Sequence, residues 1–128
     1  MKLSAARILV VDDDEVMRKF VVTMLTRLGA QDIQQCTDGS VALSMVTSFK
    51  PDLVLSDIHM QTMDGIEFVR RLREHPNPDI RQTRVMFMSA DSSKTTLDEA
   101  LPLGTYGYIV KPPRPEALRA KLDRALAA

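Results

Sequence analysis

The sequence predicts an α/β fold: an open, doubly wound parallel sheet of five strands, (βα)5, with helices on both faces. Three observations predict it. Apolar runs of four or five residues alternate with longer segments of helical period, unit after unit along the 128 residues. The β-branched and aliphatic content of the first, third, fourth and fifth of these runs suits strands buried on both faces. Finally, four of them stop at polar residues of a compatible kind: Asp12-Asp13-Asp14, Asp57, Ser89 and Lys111.

The first strand is expected at Arg7–Asp12. In the helix after it, Met17, Val21, Met24 and Leu28 recur at i, i+4, i+7 and i+11, Phe20 and Leu25 widen the stripe, and Gly29 stops it as a C′ glycine does. The second strand, Asp32–Cys36, is the more polar one, as an edge strand would be. A helix from Ser40 to Phe49 ends before Lys50-Pro51, because a residue preceding proline avoids the helical region. Leu53–Asp57 is the third strand. Gly65 to Glu74 is the third helix, with Ile66, Phe68, Val69 and Leu72 as its apolar set. Glu74–Arg81, holding Pro76 and Pro78, reads as a loop. Arg84–Ser89 is the fourth strand. A short helix from Lys94 to Leu101 follows, closed by Pro102 and Gly104. Tyr106–Val110 is the last strand. The last helix opens at Pro115, a favourable first-turn proline, and spaces Leu118, Leu122 and Leu126 four apart. Residues 1–128 are expected to form one domain, with no linker, repeat or low-complexity tract.

Composition narrows the function. Hydrophobic residues make up 45% and charged residues 27%, as in an ordinary globule. Seventeen basic residues balance seventeen acidic ones, so the basic surplus of a nucleic-acid binder is missing. No apolar stretch approaches a membrane span, and Met1-Lys2-Leu3-Ser4 lacks the apolar core of a secretory signal. The lone cysteine, Cys36, cannot form an internal disulfide, which fits a cytoplasmic protein. Its expected place is a small core or strand-end residue.

In an open parallel sheet, ligands bind beyond the carboxyl ends of the strands, where the strand order reverses. With order 2-1-3-4-5, strands one and three are neighbours at that reversal, about 4.8 Å apart. Asp12, Asp13 and Asp57 then share one cleft. Like charges about 4 Å apart repel by roughly 4 kcal/mol at an effective dielectric near 20, so the cluster needs a raised pKa or a cation. Hard oxygen ligands without histidine or cysteine in the motif favour Mg²⁺. Asp14 fits better as the cap of the first helix. Lys111 offers a point charge to a phosphoryl oxygen, and Ser89 a hydroxyl donor. Taken singly, a serine at a strand end is ordinarily a turn residue and a lysine there a solvated end. Both G-x-G-x-x-G and G-x-x-x-x-G-K-[ST] are absent, so the phosphate is expected from elsewhere, with the chain's own nucleophile as acceptor.

In order and spacing, ILVVDDD, LVLSD with Met63-Asp64-Gly65 after it, MFMSA and GYIVKP resemble the receiver domain of bacterial two-component response regulators. The resemblance covers nearly the whole chain, and the stand-alone chemotaxis regulator, with its flavodoxin-like fold, is the nearest architectural analogue. It implies that Asp57 takes a phosphoryl group from a phosphohistidine on a sensor histidine kinase or a histidine phosphotransfer protein. It implies Mg²⁺ held by Asp13, Asp57 and the backbone carbonyl of His59, with Asp12 acting largely through water. Lys111 would pair with the phosphoryl group and Ser89 would turn to bond it. Tyr108 matches the aromatic switch whose ring turns inward, and Lys111-Pro112 a peptide bond that is usually cis. His59 and Asp91 match positions that modulate loss of the phosphoryl group, and the first helix, with Glu15, Arg18 and Lys19 on its solvated face, one that helps dock the kinase. The output would be altered binding to a downstream protein, as a monomer or a phosphorylation-dependent dimer. Moving such a switch from 1:99 to 99:1 takes about 5.5 kcal/mol of differential stabilisation.

Several positions depart from the family pattern. Gln61 stands where proline is common, Pro113 replaces a bulky apolar residue, and Pro102 and Gly104 make the fourth helix unusual. Other functions remain in view. A phosphate shuttle or sink uses the same residues. An aspartate-dependent phosphatase usually places a second aspartate two residues after the first, where this chain has His59. A degenerate scaffold would not need the five polar residues at all.

Overall fold

The computed structural model describes residues 1–90 and 105–127. Its strands are β1 (Arg7–Val11), β2 (Asp32–Cys36), β3 (Leu53–Asp57), β4 (Val85–Ser89) and β5 (Tyr108–Val110). They form one parallel sheet in the order β2-β1-β3-β4-β5, as the sequence predicts. The described α-helices are α1 (Glu15–Leu28), α2 (Gly39–Phe49), α3 (Gly65–Arg73), α4 (Pro78–Arg81) and α5 (Pro115–Ala127), and a 3-10 turn at Leu3–Ala5 precedes β1.

The strand period of two sends alternate residues to opposite faces. Ile8, Val10, Leu53, Leu55, Met86 and Met88 pack with Val21 and Leu25 of α1 and Leu118 and Leu122 of α5. Leu9, Val11, Val54 and Phe87 pack with Val46 of α2 and Phe68 and Val69 of α3. Every residue of β3 and β4 is buried, whereas β2, at one edge, buries only Cys36 fully, which is why it tolerates Gln34 and Gln35.

Local chemistry fixes the ends. Asp14 caps α1 by accepting from the amides of Val16 and Met17 at 3.0 and 3.2 Å. Gly29 closes that helix at φ 115°, a left-handed angle that costs glycine little. Asp38 caps α2 and Asp64 caps α3 in the same way. Lys50 ends α2 in the left-handed region, at φ 52°.

Two expectations change. The segment read as a loop over Glu74–Arg81 contains one helical turn, Pro78–Arg81, started by the Asn77 side chain, which accepts from the Asp79 amide at 2.9 Å. Arg73 fastens it, donating to the carbonyls of Arg81 and Thr83 at 2.8 Å each. β5 begins at Tyr108 rather than Tyr106, because Gly107 has φ 130° and interrupts the extended backbone. Lys94–Leu101, Pro102, Gly104 and Asp91 lie outside the described residues. No described helix is long and apolar enough to cross a membrane.

Candidate functional site

β1 and β3 are neighbours with Val11 opposite Ser56, so the residues after them, Asp12 and Asp57, emerge side by side at the carboxyl edge. The Asp12 amide still donates to the Cys36 carbonyl at 3.1 Å, which keeps that residue in line with the sheet. Carboxylate oxygens of Asp12, Asp13 and Asp57 all lie within 4.8 Å of one another. Asp12 is fully buried and Asp57 nearly so, while Asp13 faces solvent. The convergence expected from the strand order is therefore present.

Lys111 comes from the end of β5. Its Nζ lies 2.6 Å from Asp12 Oδ2 and 3.0 Å from Asp57 Oδ2. The first contact is an ion pair whose angle falls outside hydrogen-bond geometry; the second is also a hydrogen bond. Here the structure adds to the sequence reading, which gave Asp12 a role through water: Asp12 is also a direct partner of the lysine. The other oxygens are held by backbone. Asp12 Oδ1 accepts from the Asp14 amide at 2.9 Å, and Asp57 Oδ1 from the Ile58 amide at 2.8 Å.

Burial pushes the Asp57 carboxyl above its ordinary pKa; the Lys111 bond opposes this, and the neighbouring Asp12 charge adds to it. Burial works against the Lys111 charge, but its contacts with Asp12 and Asp57 outweigh that and its pKa is raised. The lysine thus stays charged while the acid beside it is electrostatically strained, a state that another cation would relieve.

Ser89, at the end of β4, is almost wholly buried, and its carbonyl accepts from the Lys111 amide at 3.0 Å. Tyr108 lies opposite Phe87, packed against the cluster on the α2/α3 side with its phenolic oxygen buried, so the ring already sits inward. The Lys111–Pro112 peptide is cis, and Pro113 is buried. His59 is exposed and lines a cleft of about 280 Å³ with Asp13, Met60, Gln61 and Asp64. A larger groove, about 570 Å³, lies elsewhere, along α1 between Val16, Phe20, Met24 and Pro115.

Three carboxylates facing one ammonium leave an excess of hard oxygen donors, and they are close enough to share a single small cation. The residues present fit Mg²⁺. Sequence reasoning missed Ser56, whose hydroxyl donates to the Asp57 carbonyl at 2.9 Å. Its only signal was a polar residue inside an otherwise apolar buried strand.

Comparison with known proteins agrees with this fold. The response regulator receiver domain family matches residues 8–123. Chemotaxis protein CheY-3 of Vibrio cholerae is 34% identical over 118 residues, covering 92% of this chain and 89% of that protein. Chemotaxis protein CheY of Pseudomonas aeruginosa is 30% identical over 118 residues, covering 92% of this chain and 94% of its own length. The solved structure of the chemotaxis response regulator CheY4 of Vibrio cholerae superposes with a TM-score of 0.83 at 30% identity, covering 94% of this chain and 98% of that one. With a family match over residues 8–123, two chemotaxis relatives at 30% identity or more and the same fold in the solved neighbour, the chain belongs to the response regulator receiver domains, the CheY-like phosphorylatable switches of two-component signalling.

Proposed function

We propose that Asp57 is the residue that accepts the phosphoryl group, from a phosphohistidine on a sensor kinase or phosphotransfer protein. The observation that carries this is the Asp57 carboxylate itself, nearly buried at a strand end, 3.0 Å from Lys111 and beside two further acids. An Asp57 oxygen attacks phosphorus, a P–O bond forms as the P–N bond breaks, and the departing imidazole takes up a proton. The product is an acyl phosphate. Such transfers rest on positioning and on offsetting charge at the equatorial oxygens.

Each residue has a part. The Ile58 amide and Lys111 fix the two Asp57 oxygens. Lys111 is the cation that phosphoryl oxygens meet, and the Ser89 hydroxyl is their second donor. Asp13, Asp57 and the His59 carbonyl would hold Mg²⁺, with Asp12 behind them. When bound, Mg²⁺ supplies positive charge that favours ionised Asp57 and draws electron density from phosphorus. Tyr108, in register with Phe87 one strand from the site, carries the change at Ser89 towards the β5 side and so to a downstream protein.

Acetyl phosphate with Mg²⁺ tests the reading by intact mass. One added phosphoryl group per chain is expected, absent in Asp57→Asn. Persistence of the label in that variant would assign the acceptor elsewhere. The same preparation times the loss of label. His59 lines the cleft beside Asp13, and with its imidazole controlling water access, His59→Ala should change the phosphoryl lifetime by about threefold or more. An unchanged lifetime removes the His59 imidazole from the site and leaves its backbone carbonyl, which the substitution keeps.

A further inference from the structure

We infer that Ser56 is a positioning residue: together with the first residue of α3 it clamps the peptide plane that orients the Asp57 carboxylate. This rests on Asp57 being the acceptor.

The Asp57 carbonyl and the Ile58 amide belong to one planar, rigid unit. Each end of that unit is engaged. Its N–H donates to Asp57 Oδ1 at 2.8 Å. Its oxygen accepts from the Ser56 hydroxyl at 2.9 Å. Gly65 closes the other side. Its amide donates to the next carbonyl, that of Ile58, at 2.8 Å, and a Cβ on it would overlap the Asp57 carbonyl oxygen.

The consequence follows from planarity. Rotating the unit would swing its N–H away from Oδ1 and release the carboxylate to turn about its own axis. With the plane fixed, Oδ1 stays on the amide and Oδ2 stays towards Lys111. The two oxygens are thereby made inequivalent before any phosphoryl donor arrives. Ser56 can do this because the strand alternation points it to the α3 side, the side where Val54 meets Phe68 and Val69. It is fully buried, so its hydroxyl does not trade this bond for water.

The test is phosphorylation kinetics with acetyl phosphate at saturating Mg²⁺ in Ser56→Ala, read beside the ¹⁵N–¹H spectrum. The maximal rate should fall about tenfold, as misplacement of a reacting group does, with the half-saturating donor concentration unchanged. The Ile58 amide proton should move upfield as its bond to the carboxylate weakens, and Ser56→Thr should restore both. A wild-type maximal rate overturns the proposal. So does a slowed rate with the Ile58 resonance in place, since lost stability alone would produce that. Ser56→Cys, nearly isosteric and a weaker donor, gives the same readouts at intermediate size if the alanine variant does not fold. Failure of the acceptor assignment is separate: it would show as label surviving Asp57→Asn.

Discussion

At the scale of single residues, burial and charge alter what ordinary side chains do. Cys36 ends β2 with its thiol 3.8 Å from the Asp38 carbonyl. Burial, with the Asp38 charge adding to it, pushes the thiol up from 9.0 to about 11. Asp38 itself is held below its usual value, first by the Ser40 hydroxyl, so its charge persists across the range that matters. At pH 8 the shift cuts the thiolate fraction about a hundredfold, and only the thiolate reacts. Iodoacetamide at that pH should therefore label the native chain about a hundredfold more slowly than the chain in urea. Equal rates would refute the burial argument. The sign of the pH effect follows. A folded pKa above the unfolded one favours the folded chain while the thiol keeps its proton, and that advantage is lost as pH rises from about 9 through about 11. The acidic residues were legible in the sequence because each ends an apolar run. Ser56 was not, because its importance lies in the orientation of a peptide plane, and a serine before an aspartate carries no sign of that.

At the scale of elements, the decisive contact is the start of α3 against the end of β3. A side chain at Gly65 would collide with the Asp57 carbonyl and press on Ile58 and Phe87. These neighbours are backbone and a fully buried ring, with no flexible end to give way. Gly65→Ala should cost about 3 kcal/mol, seen as a lower urea midpoint at unchanged slope. A loss below about 0.5 kcal/mol would mean that α3 slides freely on the strand. The elements themselves were mostly readable. β2 and β3 stand where the sequence put them, and Gly29 ends α1 as its φ of 115° requires. Apart from the start of β5, which Gly107 moves, the failures share one cause: short features have too few residues to show a period. The turn Pro78–Arg81 and the 3-10 turn Leu3–Ala5 are four and three residues long. The Asn77-Pro78 pair carried the capping signal for the first, but two nearby prolines made the stretch read as a loop.

At the scale of the whole molecule, the topology gathers like charge and the fold holds it there. The order β2-β1-β3-β4-β5 makes β1 and β3 neighbours although α1, β2 and α2 separate them in sequence. The unfolded chain has no reason to bring Asp13 and Asp57 together, so a cation that needs both binds the folded state alone. Linkage then makes metal affinity a stability term: a tenfold excess over the dissociation constant adds about 1.4 kcal/mol. For a domain of this size that raises the melting temperature by about 5 °C. Asp13→Asn should separate the two contributions of the cluster. It removes one of three crowded charges, so in EDTA the variant should be at least as stable as the parent chain. It also removes a metal ligand, so the gain on adding Mg²⁺ should shrink or vanish. The two melting curves therefore draw together or cross as Mg²⁺ is titrated in. Coincident curves for the parent chain in EDTA and in Mg²⁺ would mean that the carboxylates tolerate one another without a cation, with Lys111 alone holding the edge of the sheet together.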